Sequence, residues 1–273
     1  MRATRAKVGR WIAILMGGLA LAFPLIYLIA GSLMTRAELS AYPPPLLPVS
    51  PQWGNFAEAL ALLDARSIPN TFIFVLGVLG LQLVLCLPAG FALAKIRFRG
   101  SRVILGSLLV PVFLPANLML VPTFVVVYQL GLVGTWGGLI LPVAAGVSVG
   151  ILLFRQFFAT LPEGLLEAAR LDGAGWFRTF FSIALPLARP AIAAYSVVTF
   201  LAAWNMYVWP LIAGNKDTRV LTVALAPLAQ NQYTLISPAV TFAAGAISII
   251  PVLIVFIVFQ RWFTRGVVGS GLE

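Results

Sequence analysis

The sequence predicts an all-α membrane protein with six transmembrane helices, and three observations predict it. Of 273 residues, 61% are apolar and 10% charged, against about 45–50% and about 25% in soluble domains. Six apolar runs reach the ~20 residues needed to cross a bilayer. The basic residues sit in short clusters between those runs, not on one polar face. Together these features describe a single transmembrane domain over residues 1–273, with a mean hydropathy of +1.01.

The spans fall near residues 11–33, 69–94, 103–127, 136–157, 187–212 and 240–262. The first follows "MRATRAKVGR", a basic start like that of a signal peptide. Its apolar run is too long for one and lacks a small-residue cleavage pattern, so it reads as a retained span. The third and fourth are separated by "YQLGLVGTWGG", whose glycines suit a tight connection. Prolines at 24, 88, 111, 115, 122, 142 and 251 are expected to mark kinks whose freed backbone groups the protein interior satisfies.

Charge sets the orientation. With the N-terminus inside, 14 of the 18 Lys and Arg lie in cytoplasmic segments and 4 outside, while the 8 acids divide equally. The net charge of +10 is therefore a topology signal with both termini cytoplasmic, and it gives no reason to expect nucleic acid. Histidine is absent, which removes His-based metal sites and Ser–His catalysis. The single cysteine, Cys86, lies in an apolar run and reads as a small core residue. No metal site and no catalytic constellation is expected.

Between the fourth and fifth spans lies a polar cytoplasmic loop, residues 158–186. "LPEGLLEAARLD" opens with Pro162 and Glu163, both favourable in a first helical turn. Leu165, Leu166, Ala169 and Leu171 are expected to form its apolar side. Gly173 ends the helix in a left-handed cap. "AGWFRTFFSIAL" follows as a second amphipathic stretch with Trp176, Phe177, Phe180 and Phe181, and Pro186 breaks the pattern. On the residues alone, an interfacial helix resting on lipid accounts for the aromatics. It leaves the Ala-Ala pair and the Gly and Leu-Pro punctuation unexplained.

Glu167-Ala168-Ala169, then Gly173, Ile183 and Leu185-Pro186 resemble the "EAA" loop of ABC importer permeases: EAA, three residues, G, nine residues, I, one residue, LP. The stretches "LGLVGTWGGLIL", "AWNMYVWPL", "FALAKIRFRGSR" and "RWFTRGVVGSG" are similar to the carbohydrate-importing branch, in particular the second permease of maltose-type importers. Met206 departs from the acid or polar residue many relatives carry there. The resemblance covers nearly the whole chain. It implies a subunit of a bacterial or archaeal plasma-membrane importer that moves a sugar or related hydroxylated solute. Its partners would be a second permease, two cytoplasmic ATPase subunits that hold ATP and Mg, and an extracytoplasmic solute-binding protein, all in a lipid setting. It further implies that Glu167, Ala168, Ala169, Asp172, Gly173, Leu185 and Pro186 form and support a helix docked on the ATPase. The sequence has no G-x-x-x-x-G-K-[ST] phosphate loop of its own.

Candidates for the solute path are the neutral polar and aromatic residues Asn117, Tyr195, Trp204, Asn205 and Tyr207; Gln82 is a further neutral polar group within a span. Amides suit hydroxyls and rings stack on sugar faces. Trp204, Tyr207 and Trp209 equally fit an aromatic belt at the outer interface. Outside the membrane, residues 35–67 combine a stiff proline stretch with a short helix around 53–63. The loop over 214–237 carries a polar tip, Gln230, Asn231, Gln232 and Tyr233, suited to a binding protein or to solvent. A polyol, glycerol phosphate ester or amino sugar is an alternative solute. A self-sufficient carrier or channel is the rival class, disfavoured because no charge lies deep in a span.

Overall fold

A computed structural model describes residues 2–229 and 236–268. No strand occurs among the described residues. Three helices are long and apolar enough to cross a membrane, at Ile14–Ser32, Ser67–Lys95 and Pro238–Phe259, and the number rises to six if each of three bent helix pairs counts as one span. The chain groups into two compact units, residues 1–65 with 224–251 and residues 66–223 with 252–273.

In the first unit, α1 (Arg2–Ser32) runs on through Pro24. Its end is capped from downstream: Asn55 Nδ2 donates to Ser32 O (2.9 Å) and Met34 O (3.0 Å). Gly31 leaves the space filled by the Phe242 ring, where any Cβ would collide. A short α2 (Arg36–Ser40) follows, then α3 (Gly54–Leu62). The α2 start is a capping box. Glu38 N donates to Thr35 Oγ1 (3.2 Å), and Thr35 N returns a bond to Glu38 Oε2 (2.7 Å). The other carboxylate oxygen accepts from Val49 N (2.8 Å), which ties down the proline-rich strap.

In the second unit, α4 (Ser67–Lys95) is a 29-residue helix that continues through Pro88. The expected third span is broken instead. It consists of α5 (Ser101–Phe113), a 3-10 turn at Ala116–Met119, and α6 (Leu120–Gln129), turned by 93° around Leu114-Pro115. The fourth is α7 (Trp136–Ala144) and α8 (Ser148–Ala159), bent by 46°. The loop over 158–186 carries α9 (Glu163–Leu171), α10 (Trp176–Thr179), a π-turn at Phe180–Ala184 and α11 (Leu185–Leu187). A 71° bend at Ala188 leads into α12 (Arg189–Trp204), then α13 (Val208–Ala213). The apolar run read as one fifth span is thus two helices, with the 71° bend at its very start. α14 (Leu221–Ala229) and α15 (Pro238–Val268) complete the chain's described part.

α4 packs most extensively on α8, and glycine explains how. A Cβ at Gly90 would lie 2.8 Å from Phe154 Cβ and 2.9 Å from the Arg155 backbone nitrogen. Small residues let membrane helices approach where no hydrophobic drive separates protein from lipid. The core beneath is Cys86, Phe91, Phe154, Phe158 and Phe180. Large apolar side chains left exposed, such as Ile73, Leu76 and Val84 on α4, suit lipid or a partner helix.

Two predictions follow from this packing. Gly90→Val should lower the thermal stability of the solubilised protein by about 1–3 kcal/mol, the usual cost of overpacking. Gly80→Val on the same helix, where a Cβ meets nothing within 4 Å, serves as the control in a thermal-unfolding scan. The second concerns pH. Bonds from the Thr35 and Val49 amides hold the Glu38 carboxyl below its ordinary value. A depressed carboxylate contributes stability that is present above the unfolded value and lost as pH falls through the lowered one. Hydrogen-exchange protection of the Val49 amide should hold at neutral pH and vanish well below pH ~4. Glu38→Ala should remove it at every pH.

Candidate functional site

The loop over 158–186 is anchored at both ends. Lys95 Nζ, at the last turn of α4, donates to Leu161 O (2.8 Å). Pro162 is extended, and Glu163 then starts α9 with its charge at the favourable end of the helix dipole. Leu166 and Ala169, three residues apart, are the buried side. Leu165 and Leu171, expected on that side, are exposed, Leu171 by 90%. Helical geometry explains Leu171, which lies nearly opposite the 166/169 stripe, whereas Leu165, one turn before Ala169, sits at the edge of that stripe and is 40% exposed. Glu167 and Ala168 are exposed as well. Of the two alanines expected at a docking face, only Ala168 points outward; Ala169 lets α9 sit close on its own chain.

The helix ends as Gly173 implied. Ala174 N donates to Ala169 O (2.9 Å) and Gly173 N to Arg170 O (3.0 Å), the paired bonds of a Schellman cap. Gly173 has φ 76° and open space around it, so the restriction there is backbone conformation alone. Asp172 is the last residue before the turn, its amide donating to Ala168 O. The Arg170 guanidinium lies 4.1 Å over the Trp176 ring, a stacking contact between a cation and a π-face. Trp176 and Phe180 in turn meet Phe91 of α4, at ring distances of 6.2 and 5.3 Å. The aromatics of the second stretch therefore divide, with Phe180 buried and Phe177 and Phe181 outward. Leu185 and Pro186 lie directly before the bend, where Ala188 N donates to both Ala184 O and Leu185 O. A cavity of about 480 Å³ separates α9 from the end of α4 and is lined by Lys95, Arg97, Glu163, Glu167 and Arg170 among others.

A second cavity, of about 370 Å³, opens where the broken helices meet. Asn117, Thr123, Met206, Tyr207 and Trp209 line it, with Pro142 and Val143 of α7. No charged residue is among the lining residues. Its size is that of a small-molecule pocket. Trp209 is oriented by its indole N–H, which donates to Leu139 O (3.1 Å).

The five path candidates separate. Asn117 and Tyr207 come together at this cavity. Tyr195 is buried in the core, its hydroxyl bonded to Gln82 Oε1 (2.8 Å). Trp204 is 3% exposed; it stacks on Phe200 and meets Phe72 edge to face. Asn205 caps α12 by donating to Leu201 O. Neither Trp204 nor Trp209 is placed for an outer belt, since both are buried within the chain. Thr123 and Met206 were not legible as site residues; only the break in α5–α6 brings Thr123 to Asn117. Gln230, Asn231, Gln232 and Tyr233 lie outside the described residues.

Broken apolar helices around an uncharged cavity, joined to a capped loop helix, suit a transport subunit. The chain belongs to the binding-protein-dependent transport system inner membrane component family, whose model matches residues 86–269, and is a permease component of an ABC importer. It is similar to the sn-glycerol-3-phosphate transport system permease protein UgpE of Rhizobium meliloti (strain 1021), 32% identical over 269 residues and 95% of each chain. It is also similar to the protein of that name from Agrobacterium fabrum (strain C58 / ATCC 33970), 32% identical with 97% of each covered. Among solved structures it resembles a bacterial ABC transporter involved in the import of the acidic polysaccharide alginate, with a TM-score of 0.81 and 26% identity over 96% of this chain and 98% of that one.

Proposed function

We propose that this chain is the non-catalytic half of a membrane pathway for a sugar or related hydroxylated solute. In this reading the solute arrives from an extracytoplasmic binding protein. A second permease completes the pathway, and two ATPase subunits holding ATP and Mg drive it. Both termini are cytoplasmic, as the basic clusters require. α9 docks on an ATPase subunit through Glu167, Ala168 and Leu171. Ala169, Asp172 and Gly173 fix the shape of that helix, and Leu185 and Pro186 carry its displacement toward α12. The observation that supports docking most is the outward display of Glu167, Ala168 and Leu171 on a rigidly capped helix.

The docking is tested by co-purification of the ATPase and by ATP hydrolysis stimulated by the binding protein. Glu167→Lys should reduce both, because losing one member of an interfacial charge pair costs about 2–5 kcal/mol. Glu58→Lys, on the exposed surface of α3, should change neither measurably. Gly173→Val should also weaken coupling, since a β-branched residue resists positive φ. Full stimulated activity in both loop variants would favour a lipid-resting helix instead.

The solute reading rests on the uncharged cavity. Asn117, Thr123 and Tyr207 offer hydrogen bonds to hydroxyls, and nothing among the lining residues would balance a phosphate. The names of the relatives favour a glycerol phosphate ester as the second reading. Competition of uptake separates them: neutral sugars or polyols should compete, and glycerol phosphate should not. Asn117→Ala should raise the half-saturating concentration by roughly 5–10-fold, the scale of one solute hydrogen bond. Competition by glycerol phosphate alone would give the site to the ester.

A further inference from the structure

We propose that Gln82 and Tyr195 are positioning residues that carry movement of the coupling loop to the wall of the solute cavity; this rests on the coupling role proposed above. Gln82 is buried on α4, and its amide is engaged on both sides. Nε2 donates to Val143 O (3.1 Å) and Gly146 O (3.4 Å), at the break between α7 and α8. Oε1 accepts from the Tyr195 hydroxyl of α12 (2.8 Å). One turn along α4, Cys86 Sγ approaches Val147 O (3.5 Å) in the same break.

Three features make this a joint between moving parts. Val143 lines the solute cavity. α12 starts directly after the 71° bend that ends the coupling loop, so tilting α12 moves Tyr195. Gly150 leaves the meeting point clear, since a Cβ there would lie 2.6 Å from the Tyr195 hydroxyl and 2.7 Å from Cys86 Sγ. The ring of Tyr195 packs edge-on against Phe154 of α8 at 5.1 Å. A buried amide at membrane depth keeps its bonds because no water replaces them. The α7–α8 break must therefore follow α12 or lose them.

The test measures solute moved per ATP hydrolysed by the complete assembly in vesicles. Tyr195→Phe removes one oxygen and preserves the ring packing. It should leave assembly and basal hydrolysis intact while the transport-to-hydrolysis ratio falls roughly threefold or more, the scale of one membrane hydrogen bond. Gln82→Leu should give the same defect, and the double variant should be no worse than either alone. A cysteine at Thr123, in the cavity, should change its labelling when a non-hydrolysable ATP analogue is added, and Tyr195→Phe should blunt that change. An unaltered ratio and unaltered labelling would overturn the proposal. So would loss of the Tyr195→Phe chain from the membrane, which would assign the pair to core packing. Stimulated hydrolysis by the unaltered assembly is the control for the coupling reading itself: its absence would sink that reading first.

Discussion

A helix interrupted at membrane depth strands backbone carbonyls that water cannot reach, so side chains of the same protein must meet them. That constraint organises the second unit. Gln82 serves the α7–α8 break, and Trp209 Nε1 reaches Leu139 O on α7. Thr222 Oγ1 donates to Met206 O (2.7 Å), in the gap between α12 and α13. The breaks are what make the cavity, because continuous helices would fill its volume with their own side chains. Side chains on neighbouring helices serve the α7–α8 break and the α12–α13 gap, whereas the bend at Ala188 is bonded by its own backbone.

The close approach of α4 to α8 is the second requirement. Gly90 removes the side chain between α4 and α8, and Gly150 leaves room for Tyr195 and Cys86. The ring cluster of Phe91, Phe158 and Phe180 continues that contact toward the cytoplasmic side. The loop over 158–186 therefore does not hang from two free ends. Lys95 clamps its start, Phe180 seats its middle, and the π-turn sets the register in which α11 meets the bend. A π-turn inside an α-helix is uncommon and tends to occur at functional positions.

Hydropathy and charge made the helical class and the run positions legible, and the spacing from Glu167 to Pro186 made the loop legible. Gly173 was readable because left-handed backbone has few alternatives to glycine. Other signals were present but passed over. "TRAE" at Thr35–Glu38 has the spacing of a capping box, and it builds α2. The breaks were less accessible. Pro24, Pro88 and Pro251 lie inside continuous helices, whereas the Leu114-Pro115 and Ala145–Val147 regions interrupt theirs. Proline alone cannot distinguish the cases, since Pro111, Pro122 and Pro142 also lie inside helices and the Ala145–Val147 break contains none. Tyr195 and Trp204 looked like path residues for the same reason: polarity within a span does not say which way the side chain points.

The face that α9 turns outward also bears on its partner. An interfacial helix presents an apolar side to lipid and places basic residues beside it. Here the two most regularly spaced inward positions, Leu166 and Ala169, are spent on the chain's own core. The outward surface mixes Glu163, Glu167 and Arg170 with Ala168 and Leu171. Anionic headgroups at the cytoplasmic leaflet repel the two carboxylates, and the two exposed leucines, Leu165 and Leu171, lie too far apart around the helix to form one apolar side for a headgroup layer. A protein groove can accept both features together, with a basic residue for Glu167 and an apolar pocket for Leu171. That combination supports an ATPase surface over lipid as the partner of this helix.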